Sequence, residues 1–378
     1  MSKGKISSKI KKAILPLLFL GIMTSCGKNN NPELKDASVS EDSKFGAALV
    51  NVSIDNFNKL GFNLGDSCNI KFSNGYEIND VPYFNGYYVK NNMPVIVSYP
   101  SNPYVLITYN NYGIWDVAGL KEGDTVSVSL NEAGKYLATQ EALGQSYSLD
   151  ITEYPSAEAF SNFRSLSGGN LKENLIFRGA SPVDNSRNRA KTADTLLEKN
   201  KINSIMDLAD SDEDIHGYFK EEGFSSTYTK GLYEKGNIVL LSMGSSYTSD
   251  TYKKSVVKGF RHLLNTDGPY YIHCMEGKDR TGFVCALLEA LASSTYDQMC
   301  ADYMITYKNY YGITKEEMPD KYQAVVSLYF DSFMEALHGE SDIEELKKTD
   351  YTEDAKTYLS QGGMTDSEIE QLIKLISK

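Results

Sequence analysis

The tightest constraint in this sequence lies between Tyr270 and Leu291. A short apolar run, Tyr270-Tyr271-Ile272-His273, leads into Cys274. Met275, Glu276, Gly277, Lys278 and Asp279 then separate that cysteine from Arg280. Beyond it Phe283, Val284, Leu287, Leu288 and Leu291 recur at helical spacing. The pattern reads as strand, tight loop and helix. In that arrangement the loop amides and the unsatisfied amides of the helix N-terminus converge on one point, a nest for an anion. Gly277 supplies the backbone freedom that a strained mid-loop turn needs.

The surrounding sequence predicts the domain that carries the loop. Ile202 to Leu208 and Ile238 to Leu241 read as buried strands. Thr248-Ser249-Asp250 caps an amphipathic helix through Val256, Val257, Phe260, Leu263 and Leu264, which Gly268-Pro269 stops. From Thr295 onward the chain reads as helical, with breaks at Gly312, Pro319 and Gly362-Gly363. Strand–helix alternation over residues 151–378 predicts an α/β domain with a mainly parallel central sheet and a helical C-terminus.

Residues 45–150 have a different character. Short alternating runs at Asn69–Phe72, Gly86–Val89, Pro94–Val97, Tyr104–Thr108 and Thr125–Leu130 are punctuated by turn signals, among them Asn74-Gly75 and Asn85-Gly86. They predict a small all-β barrel or sandwich. Tyrosine is over-used, 27 against 15 Phe and 1 Trp, and several sit in these runs. Cross-strand packing is the first reading of those rings, and a ligand-binding face the second.

The N-terminus reads as a processing segment. Lys3, Lys5, Lys9, Lys11 and Lys12 precede an apolar stretch, Ala13 to Met23, too short to span a bilayer comfortably. It ends in Met23-Thr24-Ser25-Cys26, which resembles a bacterial lipobox, so residues 1–26 are expected to be a lipoprotein signal peptide with Cys26 as the lipid-attachment site. An uncleaved signal anchor is the alternative. The polar segment 27–44 is expected to be a flexible tether. Taking the five leader lysines from 38 basic residues leaves 33 against 50 acidic ones, a formal charge of −17. Such a body has no general affinity for nucleic acid, so a phosphorylated ligand needs a local positive site. An exported protein held on a membrane is therefore expected. Its oligomeric state is not read from the sequence.

The cysteines sort by context. No short-spaced pair points to a zinc site or a disulfide framework. Cys285 and Cys300 fall inside apolar helical patterns and are expected in the core, while Cys68 is ambiguous. A cysteine at a helix N-terminus beside a cation exists as a thiolate, so Cys274 is predicted to be a nucleophile placed for in-line attack at phosphorus. Arg280 offers two parallel donors that match two phosphoryl oxygens. Thr281 can donate a hydrogen bond to the sulfur and ease its departure, and His273 orders the loop rather than acting as a base. This chemistry needs no metal or other cofactor.

The segment His-Cys-x5-Arg-Thr-Gly resembles the signature loop of the protein tyrosine phosphatase superfamily. Its Gly-Lys-Asp-Arg-Thr-Gly form is similar to a bacterial branch of tyrosine and dual-specificity phosphatases. Asn162-Phe163-Arg164, Ile176-Phe177-Arg178-Gly179 and Ile205-Met206-Asp207-Leu208 look like further elements of that branch. Two departures stand out, Ala209 where the branch has Arg and Gly179 where it has Ser. The likeness covers residues 151–378 and leaves 45–150 unexplained. It implies hydrolysis of phosphomonoesters through a phosphocysteine intermediate, with residues 275–280 binding the phosphoryl group.

A leaving alkoxide or phenolate needs a proton. Asp279 is the first candidate donor, because phosphatases such as the myotubularins place an aspartate in the same position. Asp210, Asp212 and Asp250 are rivals, and Asp279 could instead orient Arg280. Lys278 is either a second positive group at the rim, as in loops that accept phosphoinositides, or a solvated lysine. Three substrate readings remain open: phosphorylated protein, phosphoinositides or inositol phosphates, and other small phosphoesters. A surface-binding lipoprotein that holds an anion without turnover is the alternative outside enzymology.

Overall fold

Seven strands from the first part of the chain close into a barrel in the computed structural model, which describes residues 31–42, 46–100, 102–339 and 342–378. They are β1 (Glu33–Asp42), β2 (Ala47–Ser53), β3 (Ser67–Phe72), β4 (Glu77–Phe84), β5 (Pro94–Val97), β6 (Tyr104–Tyr109) and β7 (Thr125–Glu132). Their order around the barrel is β1-β2-β6-β5-β4-β3-β7, and β4 and β5 run parallel. Alternate residues fill the interior, Cys68, Ile70 and Phe72 from β3 and Val126 and Val128 from β7, together with Phe57, Tyr83 and Ile107. Asn74-Gly75 forms the β3–β4 turn, with Gly75 at φ +91°.

The barrel begins earlier than the sequence predicts. Glu33–Asp42 is a strand and not tether, because it pairs with β7 through Glu33↔Ser129 and with β2 through Val39↔Val50. Val39 is its one buried residue, so backbone pairing on both edges holds this polar segment in place. Signal residues 1–26, Cys26 among them, lie outside the described residues. Gly86–Val89 is a loop; the strand is Glu77–Phe84, whose polar first half and left-handed Asp80 hide it from a pattern search.

Downstream, a five-stranded sheet has the order β11-β10-β12-β9-β8. These strands are β8 (Arg164–Ser165), β9 (Ile176–Gly179), β10 (Ser204–Asp207), β11 (Ile238–Leu240) and β12 (Tyr270–His273). The pairings β11–β10, β10–β12 and β12–β9 are parallel, and β8 is antiparallel at the edge. Successive residues of β12 serve opposite cores. Tyr270 and Ile272 face the main helical cluster, and Tyr271 faces a smaller one with Phe177, Leu197 and Ile205. A sheet covered on both faces keeps its strands apolar throughout.

The helices that matter for the site are α1 (Leu137–Leu143), α2 (Asp250–Asn265), α3 (Asp279–Leu291), α4 (Tyr296–Tyr311), α5 (Pro319–Val325) and α6 (Asp331–His338). Helix α3 is buried at every residue from Thr281 to Leu291, so it runs through the core. Helix α1, which ends the barrel region, packs against α5, and residues 32–378 form one compact unit. No helix among the described residues is long and apolar enough to cross a membrane.

Candidate active site

Parallel strands bring their carboxyl ends to one edge, where ligands bind in open α/β sheets. Here His273 sits level with Asp207 on one side and Gly179 on the other. The chain leaving β12 immediately forms the Cys274 loop, and α3 begins at Asp279.

The loop's polarity follows from where its carbonyls go. Ser181 N–H donates to the Met275 carbonyl (3.0 Å), Tyr310 O–H to that of Glu276 (2.8 Å), Arg178 Nη2 to that of Gly277 (2.9 Å) and Gly282 N–H to that of Lys278 (2.7 Å). With each carbonyl drawn outward, the amides face the other way. Among the described residues the amides of 275–280 find no acceptor, which makes them an oxyanion nest over Cys274. Gly277 holds φ +67°, and a Cβ there would meet the Gly179 carbonyl oxygen at 2.2 Å. A Cβ at position 179 would meet the Tyr271 hydroxyl at 2.5 Å and the Ser161 carbonyl oxygen at 2.9 Å, which accounts for glycine there.

Arg280 anchors one arm by donating from Nη1 to the Met243 carbonyl (2.9 Å). The rest of its guanidinium has no partner among the described residues. The Thr281 hydroxyl is buried and unpartnered, so the predicted bond to the Cys274 sulfur is not made in this structure. The hydroxyl stays free to donate when charge develops on the sulfur.

A buried charge network fixes this loop. Arg178 is fully buried and pairs with Asp302 (2.6 Å), which also pairs with Arg164 (2.8 Å). Asn162 donates to the Gly277 carbonyl (3.1 Å) and to Thr306 (3.0 Å). Burial would push the Asp302 carboxyl up, but the two guanidiniums hold it below its ordinary value. Burial likewise opposes charge on Arg178, and Asp302 outweighs it.

Beside the loop lies a second buried cluster. Asp207 accepts from the amides of Ala209 (2.8 Å) and Asp210 (3.1 Å), its Oδ2 lies 3.8 Å from His273 Nε2, and the Oδ2 atoms of Asp207 and Asp210 are buried without a hydrogen-bond partner. Burial raises Asp207 to about 6, and burial together with the Asp207 charge raises Asp210 to about 7. Both carboxyls are thus shifted upward toward neutrality. Burial lowers His273 to about 4. The ring is thus neutral, Nδ1 faces the Cys274 carbonyl (3.3 Å), and it orders the loop without acting as a base.

The other predicted residues fall into two groups. Met275 is exposed at the rim. Glu276 is held by the Tyr147 hydroxyl and by Arg187 (3.4 Å). Lys278 lies between Glu276 (3.8 Å) and Asp279 (3.7 Å) and over the rings of Tyr307 and Tyr329. Burial opposes its charge, but the neighbouring carboxylates hold it well above its ordinary value, so it is not a solvated lysine. Asp279 is half-exposed, accepts from Tyr303 (3.3 Å) and lines the cleft beside the loop. Asp250 is exposed at the start of α2, and Asp212 accepts from Tyr233 (2.8 Å); neither lines that cleft.

Sequence reasoning gave no role to Asp302, Tyr310 or Tyr147. Asp302 lies 22 residues beyond Arg280 and the other two lie farther from the loop, and only tertiary packing brings them to it. Asn162 and Arg178 were visible as elements of a resemblance, without their job of gripping the Gly277 carbonyl. Cys68, Cys285 and Cys300 are buried free thiols pushed up to about 12 by burial. Their place is the apolar interior.

A buried cysteine at the start of a loop of free amides, with an arginine in the first turn of the next helix, is an arrangement suited to holding an oxyanion beside a thiol. The chain belongs to the tyrosine phosphatase family, whose model matches residues 155–377, more than half of its length. Similar solved structures include an uncharacterized conserved protein from Thermotoga maritima (20% identity over 26% of this chain, TM-score 0.24). The chain spans 37% of the length of that protein. The core catalytic domain of the PP-IP phosphatase SIW14 from S. cerevisiae, in complex with citrate, is 19% identical over 46% of this chain and 93% of its own, with a TM-score of 0.27. P. aeruginosa TpbA is 16% identical over 55% and 89%, with a TM-score of 0.21. No curated protein matches. The family assignment rests on the family match alone.

Two outcomes follow for stability. Asp302→Ala leaves two buried guanidiniums unpaired and is expected to cost about 3–5 kcal/mol in urea unfolding; a loss under about 1 kcal/mol would show that the network is not the loop's anchor. Asp210 ordinarily titrates near ~3.9. Between that value and about 7 the folded chain keeps a proton that the unfolded chain has lost, so stability falls as pH rises. Asp210→Asn removes this dependence, so the variant should gain on wild type from about pH 4 to 7 and keep the gain above it. Parallel stability curves for the two proteins would contradict the raised value.

Proposed function

We propose that this protein hydrolyses phosphomonoesters through a phosphocysteine intermediate, acting on phosphotyrosine in protein or on phosphotyrosine and phosphoserine alike. The observation that carries the reading is the set of inward-facing amides from 275 to 280 around Cys274, completed by the free arm of Arg280. The nest and the guanidinium hold three phosphoryl oxygens as charge builds on them. The Cys274 thiolate forms an S–P bond while the ester P–O bond breaks. The leaving oxygen takes a proton from Asp279, the loop carboxyl that reaches the cleft. Water then attacks phosphorus, returns a proton to Asp279 and releases phosphate, and Thr281 stabilises the departing sulfur.

The surroundings favour an aryl ester. Tyr247, Tyr329 and Phe333 line the cleft next to Asp279. Among its described lining residues the one cation, Lys90, is already paired with Glu335 (2.6 Å), and Lys278 lies between two carboxylates. A second phosphate would find no uncommitted cation there, which disfavours inositol polyphosphates. The proposal extends to location: the chain is exported and anchored to a membrane through lipid on Cys26.

The test of catalysis is phosphate release from phosphotyrosyl and phosphoseryl peptides, phosphoinositides and inositol phosphates, with a chelator present. Cys274→Ser is expected to lose activity on the order of 10⁴-fold or more. Activity that survives in this variant would refute the phosphocysteine route, and preference for an inositol phosphate would overturn the substrate class. For the anchor, the protein is expected in the detergent phase of cells making it, and Cys26→Ser in the aqueous phase. Equal partition of the two proteins would remove the lipid.

A further inference from the structure

The barrel has no part in the chemistry just described, yet it reaches the site. A cleft of about 390 Å³ opens beside the catalytic loop, which contributes Asp279. One wall comes from Tyr247, Tyr329 and Phe333, with Tyr329 placed by a π-helical turn, Val326–Phe330, between α5 and α6. The opposite wall is made by the barrel, from Tyr87, Val89, Lys90 and Asn91 in the β4–β5 loop and from Asn110 and Asn111 after β6.

This wall is held firmly. Lys90 pairs with Glu335 of α6 (2.6 Å), Lys321 of α5 pairs with Glu141 of α1 (3.0 Å), and α1 packs along α5. Tyr147, in the segment leaving the barrel, stacks on Tyr310 and holds Glu276 in the catalytic loop. The barrel loops keep their shape internally, with Asn110 donating to the Val89 carbonyl (2.7 Å) and Asn111 to Asn91 (2.7 Å). Those bonds leave the Asn111 carbonyl oxygen and the Asn91 amide available to a ligand.

Tyr87, Asn110 and Asn111 also line a larger groove of about 740 Å³ on the barrel, so the wall continues away from the loop. Such an extended surface exceeds the needs of a small phosphoester. Its chemistry is aromatic and amide, with the carboxylates Asp42 and Asp279 and no uncommitted cation among the described lining residues. Primary amides pair with peptide N–H and C=O groups, and tyrosine rings pack on side chains at low entropic cost.

We infer that the barrel is the substrate-reading half of the active site, and that Tyr87, Asn91 and Asn111 bind the polypeptide flanking the phosphorylated residue. The inference rests on the phosphotyrosine reading and adds the recognition surface. It is tested in the full chain with Asn91→Ala combined with Asn111→Gly. Glycine keeps the left-handed backbone at 111 (φ +60°), and both side chains are exposed, so folding is spared. Tyr87→Ala is the second variant. Each is assayed on a phosphotyrosyl peptide and on phenyl phosphate, which has no flanking chain.

For the peptide, kcat/KM is expected to fall about tenfold through KM, the loss of two neutral hydrogen bonds. The ratio of peptide to phenyl phosphate efficiency should fall with it. Equal losses on both substrates, or no loss on the peptide, overturn the inference. Wild type that turns over phenyl phosphate but shows no advantage with the peptide overturns it too, and leaves the catalytic reading standing. A phosphorylated glycan or an inositol polyphosphate losing efficiency in the variants while the peptide does not would assign the wall to another ligand. Wild type inactive on every substrate would end both readings together.

Discussion

Everything at the site depends on one buried ion pair. Arg178, fully removed from water on β9, is neutralised by Asp302 from α4 and spends its other arm on the Gly277 carbonyl. A charge so placed is tolerable only while its partners stay in position. The pair thus ties sheet, helix and loop into one geometry and turns the Gly277 carbonyl away from Cys274. Ser181 and Tyr310 do the same for the carbonyls of Met275 and Glu276. The nest exists because its back is fastened, and its preorganised amides need no rearrangement when charge appears.

The same interior separates the cysteines by chemistry. Cys285 lies on the helix that the loop begins, yet its thiol is pushed up to about 12 by burial. Cys274 faces free amides and an arginine at the mouth of that helix. Burial pushes Asp207 up to about 6 and Asp210 up to about 7 and keeps His273 neutral, so charge at the strand ends is disfavoured by their surroundings.

The barrel changes the meaning of the domain organisation. Read along the chain it is a separate β module, but α1 packs on α5 and the barrel loops wall the cleft at Asp279. Lys90 and Tyr147 bring it to α6 and to the catalytic loop itself. The region that matches the tyrosine phosphatase family thereby carries a second surface beside the Cys274 loop.

Local rules sufficed where the structure is locally encoded. Strand β12, the Gly277 turn, helix α3 and the Ser249 cap were legible because each follows from neighbours in sequence and from the periods of two and of 3.6. They failed at β1, whose polar residues are held by pairing with the distant β7, and at β4, whose polar first half lacks an apolar alternation and is held by pairing with β3 across the Asn74-Gly75 turn. The sequence by itself determined the strand–loop–helix placing of Cys274 and Arg280 and the α/β frame, since a strand, a five-residue loop and a helix permit few alternatives. Only the tertiary structure decided which groups fasten the loop, which carboxyls are shifted upward, and that the barrel faces the site. Those outcomes depend on burial and on contacts between distant segments, which no local pattern records.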